Sequence, residues 1–290
     1  MNQPAWTPPQ TPEPDLGRLN SAVREIPSYV PMPVPPSDGM ERAGRSTLPD
    51  RWMHLPTERP LLTYILLAII VVIYIPMMIS PQLNELFLQY GALVKIRVIE
   101  GEWWRLITQA FLHGPLLHIA LNGYALYMIG MEVEGFFGRA RFAAIYAISA
   151  LAGSVASFIF IPYFTSSVGA SGAIFGLVGA LAVYFGLNRT LFGRMGQAQF
   201  WNILLVILLN VGLGFSGIFP IDNSAHIGGL IAGAATGFVL CHRYRLGPWR
   251  NPLVREVENT NTGSLPWLAI ALIALDVIAI LVAALLYFRR

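Results

Sequence analysis

Charge is scarce in this sequence. Only 12% of its 290 residues are Asp, Glu, Lys or Arg, 55% are hydrophobic, and the mean hydropathy is +0.57; a soluble domain carries about a quarter charged residues. Water is therefore not the main solvent of the chain. Cysteine is nearly missing too. The single thiol, Cys241, excludes an intramolecular disulfide framework, and its place at the end of an apolar run gives it a structural role rather than a metal or redox one. A secretory signal peptide is lacking, since there is neither a short apolar core near the start nor a small-residue cleavage site, so the first apolar span is expected to be retained. No convincing internal repeat is present, which disfavours inverted-repeat transporters.

What the sequence does have is long apolar runs. A helix crossing a bilayer core of about 30 Å needs about 20 mostly apolar residues, and seven such stretches lie near 61–80, 115–133, 142–163, 171–188, 200–218, 225–241 and 266–288. The fold class expected is all-α: a polytopic membrane helical bundle with a six-span core over 61–241, a cytoplasmic linker over 242–265 and a seventh span within 266–290. Residues 1–60 hold many of the 21 prolines and no long apolar run, and are expected to be a disordered cytoplasmic tail.

Positive residues mark cytoplasmic loops. With the N-terminus inside, Arg18, Arg24, Arg42, Arg45, Arg51, Arg59, Arg139, Arg141, Arg189, Arg194, Arg243, Arg245, Arg250 and Arg255 all fall on the cytoplasmic side, fourteen of the nineteen Lys and Arg. Lys95, Arg97 and Arg105 in the first outer loop, with Arg289 and Arg290, make up the rest. The N-terminus is read as inside and the C-terminus as outside.

Topology then ranks residues by depth. Ser171 opens the fourth span within Gly169-Ala170-Ser171-Gly172, and His226 opens the sixth within Ala225-His226-Ile227-Gly228-Gly229; both spans run inward, so both residues lie near the outer face. Polar residues inside spans are costly and point to function, with interhelical hydrogen bonding as the plainer use. A serine in the first turn of a helix sits among backbone N–H groups that lack intrahelical partners and can hold a developing oxyanion. For histidine to take the serine proton the two groups must approach to about 2.6–3.2 Å. The rows Gly172, Gly176, Ala180 and Gly229, Gly233, Gly237 allow the close helix packing this requires. His118 and Asn122 share one face of the second span, with His113 a turn further out, and two neutral donors there suit a tetrahedral oxyanion.

These residues resemble the rhomboid family of intramembrane serine proteases, over about 61–241. Trp104-Arg105 matches the family's first-loop pair; His113, Asn122 and the intervening His118 match His-x4-His-x3-Asn; Glu134 and Gly138 match Glu-x3-Gly; and the Ser171 and His226 motifs follow in order. The resemblance implies a Ser–His dyad with Ser171 as nucleophile, His226 as general base and then acid, and His118, Asn122 and the Ser171 N–H as oxyanion hole. It implies as substrate another protein's transmembrane segment, cut near the outer surface after a small residue. Phe175 stands where relatives often carry tyrosine, keeping a ring against His226 without the hydroxyl.

Other residues receive quieter readings. Asp222 is expected to cap the sixth span rather than serve as a third catalytic member. Trp103, Trp104 and Arg105 read as interfacial anchors and loop scaffolding, and the outer segment from Gly212 to Asn223 as a cap over the site. Asp276, mid-way along the seventh span, is expected to face the helical core, because a carboxylate in lipid costs at least about 2.5–3.5 kcal/mol. The first six spans hold no mid-membrane Asp or Glu, which speaks against a transporter or channel; a rhomboid-like protein that binds membrane clients without cutting would not require the intact Ser171, His226, His118 and Asn122 set. No cofactor, metal or nucleic acid is called for: the outer histidines come without the cysteine or carboxylate that would complete a metal site, and topology already explains the arginines. With nothing resembling an organelle transit peptide, a bacterial inner membrane is the expected location.

Overall fold

The computed structural model describes residues 30–31, 52–53, 57–217, 220–249 and 254–261. Residues 266–290, with the expected seventh span and Asp276, and most of 1–60 lie outside the described residues. Among the described residues the chain is mostly helical, with nine α-helices: α1 (Leu62–Ile79), α2 (Pro81–Gly91), α3 (Lys95–Ile99), α4 (Arg105–Thr108), α5 (Leu116–Phe137), α6 (Arg139–Phe160), α7 (Ser171–Leu187), α8 (Arg189–Phe215) and α9 (Asn223–Leu240). Four of them, α1, α5, α6 and α8, are long and apolar enough to cross a membrane; α7 is apolar but shorter, at 17 residues. The expected span boundaries agree with the helices to within a few residues, except that α8 starts at Arg189 rather than near 200. Its first turn is set off by Gly193, whose φ of +55° breaks the helical path.

Burial orders the bundle. In α7 twelve of 17 residues are buried, while α1 buries three of 18 and α8 four of 27. The central helix is thus α7, with α6 and α9 against it and α1 and α8 at the periphery. The α7–α9 contact is made backbone to backbone: a Cβ on Gly229 would fall on the Gly172 carbonyl, one on Gly233 on the Gly176 carbonyl, and one on Gly237 would lie 2.7 Å from the Ala180 Cα. The third helix joins the same way, since a Cβ on Gly153 of α6 would meet the Ala225 carbonyl at 2.9 Å. Small residues allow this approach, and nothing at the contact can swing aside. Gly229→Ala is therefore expected to lower the melting temperature in detergent through backbone overlap, by the equivalent of about 1–3 kcal/mol; a variant melting with wild type would show that the helices separate at little cost.

Both faces of the bundle carry structure that apolar periodicity does not announce. At one end, strand β3 (Leu93–Val94), before α5, pairs antiparallel with β4 (Ser166–Ser167), between α6 and α7, Leu93 with Ser167, and Leu93, Val98, Leu106, Val155, Phe158 and Ile161 make a second small core beneath them. Arg105 ties this region together. Only 2% exposed, it pairs with Glu102 at 2.5 Å and donates to the carbonyls of Ala92 and Gln89, each at 2.6 Å, which fits its reading as scaffolding. At the opposite end, β5 (Tyr244–Trp249) and β6 (Val254–Asn259) form a hairpin within the expected linker; β2 (Trp52–Met53) runs parallel to β6 and β1 (Val30–Pro31) antiparallel to β2. Asn188 holds the hairpin to the bundle, donating to the Tyr184 and His242 carbonyls and accepting from the Tyr244 N–H.

The entry of α1 is fixed from α5. The Glu134 carboxylate, fully buried, accepts from the N–H groups of Leu61, Leu62 and Thr63 and from the Thr63 hydroxyl, each at 2.8 Å. These donors have no partners within α1 itself, so a residue 71 positions along the chain caps the helix.

Candidate active site

Ser171 is the first residue of α7, half-buried, and the loop before it is shaped by Gly169 at φ +130°. The Gly169 N–H donates to the Gln109 carbonyl at 2.9 Å. A Cβ on Gly169 would lie 2.9 Å from both Cε1 and Nε2 of His118 and 3.8 Å from the Ser171 Oγ. One point in space is thus within 4 Å of the serine oxygen and of the edge of the His118 ring, and only glycine leaves that point free.

The tautomer of His118 follows from its other nitrogen. Nδ1 accepts from the Gly114 N–H at 3.3 Å, so in the neutral ring the proton sits on Nε2, the edge turned toward Gly169 and Ser171. Asn122 lies one turn along the same face, buried, and donates one amide hydrogen to the His118 carbonyl at 3.0 Å. An Nε2–H and an amide N–H are the donor types an oxyanion needs.

His226 occupies the first turn of α9. It is 8% exposed, and its ring stacks on Phe175 of α7 at 4.1 Å with 14° between planes. The neighbouring backbones meet, since a Cβ on Gly172 would lie 3.3 Å from the Ala225 carbonyl. The residue after Ser171 and the residue before His226 are therefore packed together. No hydrogen bond joins the Ser171 hydroxyl to the His226 ring among the described residues, and the His226 Nδ1 has no hydrogen-bond partner among them; such contacts are often long until substrate tightens them.

Asp222 caps α9 as expected. Its Oδ1 accepts from the Ala225 N–H at 3.1 Å, while Oδ2 accepts from the hydroxyls of Ser157 and, at 2.7 Å, Ser167. Neither oxygen bonds the His226 ring. The two serines went unnoticed in the sequence, where isolated small polar residues in an apolar helix and in a loop give no periodic or motif signal. The outer segment before α9 is shorter than expected, because α8 runs to Phe215 and Asn223 already begins α9; the Asn223 amide donates back to the Val211 carbonyl at 3.2 Å.

His113 stands outside the apolar helices, in the segment leading into α5. It is fully buried and its ring meets that of His118 edge-on at 5.3 Å. Burial first, and then His118, pushes its pKa down from 6.5 to about 4. Between those values the unfolded chain binds more protons than the folded one, so the contribution of a neutral His113 is complete above about pH 6.5 and is lost as pH falls toward 4. Thermal stability is expected to drop across that window by up to roughly 3 kcal/mol, with His113→Gln flattening the slope. An unchanged slope in the variant would assign the acid sensitivity to other groups.

Residues 100–243 match the Rhomboid domain family. The chain belongs to the rhomboid family. Its rhomboid domain runs from just before α4 through α9 and so contains Ser171, His226, His118 and Asn122, while α1 lies outside it and is held from within it by Glu134. Similar proteins include "Rhomboid protease GluP" of Bacillus subtilis (strain 168), 41% identical over 177 residues, or 60% of this chain and 34% of that protein. "RHOMBOID-like protein 5" of Arabidopsis thaliana is 42% identical over 172 residues, covering 59% and 54%. "RHOMBOID-like protein 6, mitochondrial" of the same plant is 38% identical over 152 residues, covering 52% and 48%. This chain thus spans between a third and just over half of the length of these rhomboid relatives.

Proposed function

We propose that this protein is an intramembrane serine endopeptidase that hydrolyses peptide bonds in or near transmembrane segments of other membrane proteins. The observation that carries the reading is that Ser171 and His226 stand in the first turns of the two packed helices α7 and α9, with the Ser171 Oγ and the His118 Nε2–H edge bordering the space that Gly169 leaves free. Membership of the rhomboid family and the name of the Bacillus subtilis relative support it.

In this reading the Ser171 Oγ attacks the scissile carbonyl while the His226 Nε2 takes its proton. The carbonyl oxygen becomes an anion held by the His118 Nε2–H, the Asn122 amide and the Ser171 N–H. His226 gives its proton to the departing amine, an acyl-serine remains, and water, deprotonated by His226, releases the acid and restores the serine. Phe175 keeps the imidazole in plane through both steps, and no cofactor enters.

The six-span core over 61–241 extends the four evident apolar helices with α7 and α9, whose polar first turns suit helices that open at a water-accessible site. The segment that follows α9 is placed on the cytoplasmic side. The location in this reading is a bacterial inner membrane, with the arginine-rich side of the bundle cytoplasmic.

The test is incubation of the purified full chain in detergent with a single-span test substrate, alongside labelling by a fluorophosphonate probe. Cleavage of the substrate together with labelling of Ser171 is the expected result. A stable protein that neither cuts nor labels across several substrates and lipids would instead be a rhomboid that binds membrane clients without hydrolysing them.

A further inference from the structure

One carboxylate bonds neither the Ser171 hydroxyl nor the His226 ring, yet reaches the approaches to both. Asp222 is the last residue before α9, and its two oxygens hold three parts of the chain at once: the first turn of α9 through the Ala225 N–H, the end of α6 through the Ser157 hydroxyl, and β4 through the Ser167 hydroxyl. The His226 N–H also donates to the Asp222 carbonyl at 3.2 Å. Both serines are buried, at 1% and 8% exposure.

Three residues separate Ser167 from Ser171, and that short link contains Gly169 in its positive-φ conformation. A glycine link is the most easily deformed kind. Besides Asp222, the approach to Ser171 is restrained by the pairing of β4 with Leu93–Val94 and by the Gly169 bond to Gln109. Both of these tie it to the outer loop and not to α9. Asp222 bonds both the serine's loop and the histidine's helix through one rigid group.

We propose that Asp222 is a positioning residue for the Ser171–His226 pair, its carboxylate setting the spacing between the strand that leads into the nucleophile and the turn that carries the base. The proposal rests on the protease reading given above. With Oδ1 on the Ala225 N–H and Oδ2 on two hydroxyls, Asp222 acts through position and not by contact with the imidazole. Misplacement of a reacting group by about 1 Å can cost about 100-fold in rate, so the effect falls on turnover rather than on substrate affinity.

The experiment measures kcat and KM for full-length wild type, Asp222→Ala, Asp222→Asn, the double variant Ser157→Ala/Ser167→Ala, and the triple combination with Asp222→Ala. Each rate is scaled to the fraction of molecules that a fluorophosphonate probe labels and set beside its melting temperature. The serine double variant keeps the cap on α9 but loses the tether, and its kcat is expected to fall at least about tenfold with KM little changed; Asp222→Ala should lose about 100-fold. Asp222→Asn, which retains an acceptor for Ala225 and can still bond a hydroxyl, should recover part of that loss, and the triple variant should be no slower than Asp222→Ala. Unchanged kcat in the serine double variant, or losses that multiply fully in the triple variant, would overturn the proposal. A wild type that neither cuts nor labels would overturn the protease reading and this proposal with it, whereas an active wild type beside unaffected variants removes the positioning role alone.

Discussion

Ser171→Ala is expected to abolish cleavage, lowering kcat by roughly 10⁴-fold or more, and His226→Ala to do nearly the same. The reason lies in the roles assigned to the pair. Without the Oγ no acyl intermediate forms, and without the imidazole the hydroxyl keeps its proton and remains a weak nucleophile. Because the two act in one step, the double variant should be no slower than either single one. Residual rate in all three would report the donors around His118 acting on an attacking water. Ser171 sits half-buried at a helix start, so its variant should melt close to wild type, whereas His226→Ala also loses the stack on Phe175 and its activity is read beside its melting temperature. That separation of activity from stability is what the measurement reads. Rapid cleavage by Ser171→Ala at wild-type purity would place the nucleophile elsewhere.

The largest effect on stability is expected from Glu134→Ala. The carboxylate takes four hydrogen bonds at 2.8 Å, three of them from backbone donors at the start of α1. A hydrogen bond to a carboxylate contributes about 1.5–3 kcal/mol, and a donor left buried without a partner costs about 1–3 kcal/mol. The bonds share one group and do not add, so the loss is expected near 3–5 kcal/mol. It should appear as a large fall in the melting temperature and as early proteolysis around residue 61. Glu134→Gln keeps the shape and one acceptor but turns an amide N–H₂ toward other donors, and should recover only part of the difference. A Gln variant as stable as wild type would mean that one oxygen suffices to hold α1.

The helices that were plain in the sequence are those whose apolar runs coincide with their full length. The run at 171–188 became α7 at Ser171–Leu187, and 225–241 became α9 at Asn223–Leu240. Hydropathy misjudged α8, because its first turns carry Arg189, Arg194 and Gln197 on a helix that has not yet entered the apolar region. The short outer helices and the hairpin at 244–259 were invisible for the same reason: they are held by single polar anchors, Arg105 and Asn188, and not by a repeating pattern. Of the candidate site, Ser171, His226, His118 and Asn122 stood out as polar groups at matched depth in apolar spans. Asp222 was legible as a helix cap, yet its bonds to Ser157 and Ser167 span 65 and 55 residues and leave no local trace.

The glycine contact between α7 and α9 also sets where this molecule can yield. Because peptide groups meet with no side chain between them, rotamer hopping has nothing to act on there, and the separation of the two helix axes inherits the stiffness of covalent backbone geometry. The outer helix α8, with four buried residues in 27, has no comparable restraint. Amino-acid variation should be divided in the same way, with the lipid-facing residues of α8 free to interchange among apolar types while Gly229, Gly233 and Gly237 admit almost none.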